Sequence, residues 1–263
     1  MISSIADPRP VGPAVEQLGG QVMTGPHRPH QWLNHPRHGP LPALLLSLTV
    51  ATGVVDAVSI LALGRVFVAN MTGNIVFIGF ALAGAPGFSL VAAVLALAGF
   101  LIGAAACGPA ISRWRQARGR LLAVVTTVES LLLAGALTVA AGSAEPFGDT
   151  ARNLIAVVSA IALGMQNAAA RELAVPDATT TVLTMTLTGF AADLRERNVP
   201  VLIRRLLAIV AMLVGALLGA ILVLRRDTTW ALALAVALVT MVCAAAWVFG
   251  RRPGPWQTPA RTR

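Results

Sequence analysis

Residues 66–74 read V-F-V-A-N-M-T-G-N, and residues 182–190 read V-L-T-M-T-L-T-G-F. Each places a Thr-Gly pair, Thr72-Gly73 and Thr188-Gly189, inside a run that is otherwise apolar. Lipid does not tolerate a break in the backbone ladder with open polar groups, whereas a buried cavity does. The two stretches therefore predict two short helices that line a polar interior.

The rest of the chain has the composition of a bilayer protein. Of its 263 residues 56% are hydrophobic and 12% charged, with a mean hydropathy of +0.76. This is too apolar for a water-soluble domain. The net charge of +9 comes from arginine alone, set in short pieces between apolar spans. Arginines so placed orient a membrane protein, and nucleic acid is not an expected partner. Cys107 and Cys243 fall in apolar helical sequence and read as small hydrophobes.

Residues 1–40 are rich in proline and hold all four histidines, His27, His30, His35 and His38. Such a tail reads as disordered, and its proline-broken spacing gives a metal no fixed ligand geometry. It lacks the pattern of a cleavable signal peptide. Apolar spans follow at 41–63, 88–111, 121–141, 153–175, 201–224 and 230–249, with the two Thr-Gly segments at 66–84 and 179–193. The expectation is an all-α polytopic bundle of six to eight membrane segments over 41–250, followed by a basic tail at 251–263.

The Thr-Gly segments also define an internal repeat. An ungapped slide of the first half onto the second places Thr72-Gly73 on Thr188-Gly189 and Gly99/Gly103 on Gly215/Gly219. Asp56 meets Asn167 if the second half gains five residues. Repeat 1 is then 41–142 and repeat 2 is 152–250, each with three full spans and one Thr-Gly helix. If neither Thr-Gly segment crosses, Arg65, Arg152, Arg225 and Arg226 alone lie on the far side, and the other arginines lie with both termini in the cytoplasm. Three crossings per half makes the halves inverted, as in many secondary transporters.

At G-V-V-D-A-V-S (53–59), F-V-A-N-M-T-G-N (67–74) and A-L-G-M-Q-N-A (162–168), with L-T-G at 187–189, the chain resembles the YoaK-like (DUF1275, UPF0700) family of bacterial membrane proteins. The resemblance covers about 44–250 and implies a multi-pass inner-membrane protein with no substrate attached to it.

Polar residues in the spans are the candidate site. Asp56 and Glu129 are carboxylates at membrane depth, where ionisable groups bind protons or ions, although Asp56 has interfacial pairing with Arg65 as its plainer role. Asn70, Thr72 and Asn74, with Gln166, Asn167, Thr186 and Thr188 from the second half, supply oxygens for a cation, proton or small polar solute. They serve equally as glue between helices. Gly73 and Gly189 are read as backbone breaks, and Gly99, Gly103, Gly215 and Gly219 as close-packing positions. No nucleophile, metal-ligand set or phosphate loop lies in the spans, so the expectation is a small permease without cofactor or metal rather than an enzyme, with a non-transporting scaffold or sensor as the second reading. Oligomeric state is not legible.

Overall fold

The computed structural model describes residues 38–175, 188, 199–252 and 254–257. Its elements are helices: α1 (Leu41–Ala62), α2 (Met71–Leu82), α3 (Leu90–Ala106), α4 (Gly108–Trp114), α5 (Arg118–Ala141), α6 (Asp149–Leu173), α7 (Val199–Arg225) and α8 (Thr228–Gly250). Six of them, counting α3 and α4 as one, are long and apolar enough to cross a bilayer. The protein is a polytopic all-α membrane bundle. With 12 residues, α2 rises about 18 Å and falls short of a hydrocarbon core about 30 Å thick. Its expected counterpart at 179–193, including Thr186 and Gly189, lies outside the described residues except for Thr188, which is helical and exposed.

Some limits differ from the apolar pattern. Helix α6 starts at Asp149, inside the expected loop. An acid in the first turn favours the positive end of the helix dipole, and Arg152 pairs with it at 2.5 Å. At the other end of α6, Glu172 pairs with Arg115 at 2.8 Å rather than with its neighbour Arg171.

Helices α1, α8, α5 and α6 form a closed ring, α7 packs on α1, and α3 packs on α6. Glycines set these approaches. A methyl group at Gly215 would run into the carbonyl oxygen of Val50, and one at Gly103 into that of Ile161. Gly53 faces the Met212 carbonyl, and Gly164 faces that of Phe100. Gly99 and Gly219 sit against the carbonyls of Val157 and Val54. Without side chains at these points the backbones come close enough for extended dispersion contact, the force that joins helices in lipid.

Two ends can be told apart. At one, the start of α5 meets the end of α8 through Gly119 and Gly250. A strap after α8 closes this end. The Trp256 ring covers Gly39 and Gly119, and Gln257 Oε1 accepts the Gly119 N–H at 3.0 Å. Gln257 Nε2 donates to the Gly250 carbonyl at 3.2 Å. The buried Arg118 donates to the carbonyls of Leu173 and Trp256. At the opposite end, Glu145 accepts the Thr228 N–H at 2.8 Å and Asp227 caps α8 by accepting from Trp230 N–H.

Candidate functional site

The site is built from the turn between α1 and α2. Gly64 (φ 87) and Arg65 (φ 58) both adopt the left-handed region, which reverses the chain at the end of α1. Val66, Val68 and Ala69 are buried, so the chain turns back into the bundle instead of leaving it. Asp56 receives it there. Its Oδ1 accepts the backbone N–H groups of Val68 at 3.4 Å and Ala69 at 3.2 Å. Asp56 precedes the end of α1 by six residues, about 9 Å deeper by helical rise. The largely buried stretch 66–69 thus leads into α2 at a depth within the membrane, and a turn through Gly84 and Gly87, both at positive φ, takes the chain on to α3.

Asparagines fix that half-helix. Asn70 is its N-cap, its Oδ1 accepting from Gly73 N–H at 3.4 Å. Asn74 is fully buried; its Oδ1 accepts the Phe67 N–H at 2.8 Å and its Nδ2 donates to the Phe67 carbonyl at 2.6 Å. Gly73 leaves room for the Phe67 ring, which a methyl would approach to 2.5 Å. Phe67 stacks on Phe77 at 5.5 Å, and Phe77 packs on Phe88 at 5.1 Å. Arg65 does not pair with Asp56; its guanidinium lies 6.0 Å over the Phe88 ring. Thr72 is exposed at the start of α2.

A second polar group lies deeper in the ring. Gln166 of α6 donates from Nε2 to Thr52 Oγ1 of α1 at 2.9 Å, and Thr52 passes its own proton to the Leu48 carbonyl at 2.9 Å. Gln166 Oε1 and Ser159 Oγ, both buried, have no partner among the described residues. Glu129 is 0% exposed and both of its carboxyl oxygens lack a partner among the described residues. It falls on the inward stripe of α5 with Leu122, Thr126, Leu133 and Ala136. By helical rise Thr52 and Glu129 each lie about 17 Å in from the start of their helices, near mid-membrane depth. Asn167 is half-buried beside Gln166 in sequence.

The structure therefore gathers Asp56, Asn70, Gly73 and Asn74 in one corner and sets Gln166 against Thr52. No hydrogen bond among the described residues links that corner to Glu129. Whether Thr72-Gly73 approaches Thr188-Gly189 falls outside the described residues. Among the described residues no three His, Cys, Asp or Glu side chains come together to hold a metal. Cys107 and Cys243 are free, with Cys243 Sγ 3.2 Å from Thr127 Oγ1. Thr52 and Arg118 were not legible as key residues. Thr52 had only its place one turn before Asp56 as a signal, and Arg118 had none to separate it from Arg113, Arg115 and Arg120.

Comparisons with known proteins agree with this architecture. UPF0700 transmembrane protein YoaK of Bacillus subtilis (strain 168) is 32% identical over 156 residues, which cover 59% of this chain and 67% of that protein. No solved structure matches the chain. The family model described as protein of unknown function (DUF1275) matches residues 44–245, and the chain belongs to that family of membrane proteins.

Proposed function

We propose that the chain is a carrier of the bacterial cytoplasmic membrane that moves a small polar solute, a proton or both through a mid-membrane site centred on Glu129. The observation that carries this reading is the Glu129 carboxyl group, fully buried and without a hydrogen-bond donor among the described residues. Such a group is tolerated inside a bundle only with a proton or a cation on it, and the exchange of that proton or cation is transport chemistry. Oδ1 of Asp56, Oδ1 of Asn70 and both amide atoms of Asn74 are engaged by the backbone of 67–73. Their role here is to shape the half-helix. Gln166 Oε1, also buried and without a partner among the described residues, is a second unfilled acceptor within the same ring of helices.

An inverted repeat supports the same reading. Exchanging α1 with α6, α3 with α7 and α5 with α8 turns the α1–α7 and α1–α8 contacts into α6–α3 and α6–α5, which also pack. Gly53 against Met212 then matches Gly164 against Phe100, and Gly215 against Val50 matches Gly103 against Ile161. This register pairs Gly103 with Gly215, one helical turn away from the sequence slide. Arg65, Arg152, Arg225 and Arg226 sit at the end opposite the strap, a distribution that supports, by the arginine rule, a reading with the strap on the cytoplasmic side.

A scaffold is the second reading, favoured by the close glycine contacts and the saturated Asn74. Proteoliposomes loaded with a pH dye and challenged with amino acids, sugars, organic acids and inorganic cations separate the two. The carrier reading expects solute-dependent proton movement or uptake that Glu129→Gln abolishes. Flux unchanged in Glu129→Gln, or none for any solute class, overturns it in favour of the scaffold.

A further inference from the structure

A cavity of about 190 Å³ opens between the start of α5 and the end of α8, lined by Trp114, Arg120, Ala123, Trp247, Gly250 and Arg251. We propose that it binds the phosphodiester headgroup of an anionic glycerophospholipid from the leaflet at that end. Its level suits a headgroup. Trp114 ends α4, Arg120 lies in the first turn of α5, and Gly250 and Arg251 end and cap α8, so the cavity sits where apolar span gives way to water. Two tryptophans at that level match the aromatic belt of membrane interfaces.

The walls are prepared for an anion. Trp247 Nε1 donates to Thr127 Oγ1 at 3.1 Å, which holds the indole as a fixed wall. Arg120 and Arg251 are exposed and make no salt bridge among the described residues. The carbonyls that end α8 would repel a phosphate, but Gln257 Nε2 covers them by donating to Gly250 at 3.2 Å and Phe249 at 3.4 Å. Two guanidinium groups then face one phosphate with no acid between them. Acyl chains leave along the outer face of α8, where Met241 and Val248 are exposed, Val248 by 53%.

Native mass spectrometry of the full chain in detergent, titrated with dioleoyl phosphatidylglycerol or dioleoyl phosphatidylcholine, tests the site. Phosphatidylglycerol is expected to bind in preference, and Arg120→Gln/Arg251→Gln to weaken it roughly 30-fold, about fivefold per guanidinium. Arg251→Gln alone, at an exposed helix cap, gives the single step if the double variant folds poorly. Arg225→Gln/Arg226→Gln at the opposite end should leave the preference intact. An unchanged preference in the cavity variants, or an equal loss in the Arg225/Arg226 variant, overturns the proposal. Release of the lipid by millimolar inorganic phosphate overturns it as well, by making the cavity a site for a soluble anion.

Discussion

Asn74 holds the backbone of Phe67 from both sides, Oδ1 accepting its N–H at 2.8 Å and Nδ2 donating to its carbonyl at 2.6 Å. One amide closes residues 67–74 into a loop. Asn74→Ala leaves both Phe67 groups without their partner inside the bundle, at about 1–3 kcal/mol each. Asn74→Asp sets a carboxyl group against the Phe67 carbonyl at a fully buried position; it keeps the second bond only when protonated, so its loss should shrink as the pH falls. Thermal unfolding in detergent should put both variants below wild type, with only the Asp variant recovering as the pH is lowered.

The glycines that touch backbone should respond differently from those that do not. Gly103→Ala and Gly215→Ala each drive a methyl into a carbonyl oxygen of a neighbouring helix and should cost about 1–3 kcal/mol. Gly79 and Gly135 have open space where a methyl would go. Alanine there should be neutral or stabilising by up to about 1 kcal/mol, since it favours the helix. Unfolding curves for the four variants check the contrast.

Thr52 and Gln166 form a buried hydrogen bond between α1 and α6. A double-mutant cycle on Thr52→Val and Gln166→Leu should give a coupling of about 0.6 kcal/mol, and at most about 1.7. A coupling near zero would show that Gln166 finds another donor or acceptor when Thr52 is gone.

The strap makes a prediction of its own. Gln257→Ala removes the acceptor for Gly119 N–H and the donor to the Phe249 and Gly250 carbonyls. Stability should fall by about 1–2 kcal/mol, as for a lost helix cap. Hydrogen exchange should accelerate at the end of α8 and the first turn of α5, while α2 keeps its protection.

The helical spans were legible because twenty-odd consecutive apolar residues have one meaning in a bilayer. The short second helix was only partly legible: Asn70, Thr72 and Gly73 interrupt the run, but residues 66–84 are long and apolar enough to cross. The work of the polar residues was not legible. Asp56 and Glu129 are both carboxylates at membrane depth, yet Asp56 is met by Val68 and Ala69 and Glu129 by no donor among the described residues. That difference depends on how residues 63–69 fold back, which follows from the positive φ of Gly64 and Arg65 and not from any periodicity. The register of the proposed repeat is ambiguous in the sequence for a similar reason: small residues recur every four positions in α3 and α7, so slides that differ by one helical turn both superimpose small residues.

Trp256 and Gln257 bind residues made long before them, Gly39 ahead of α1 and Arg118 and Gly119 at the start of α5. The ribosome releases these two residues only after α8 has been translated. During synthesis, therefore, the arginine-rich end of the bundle stays open while its helices enter the bilayer one after another. Its closure follows the completion of α8, and a chain that stalls in α8 is left with that end untied.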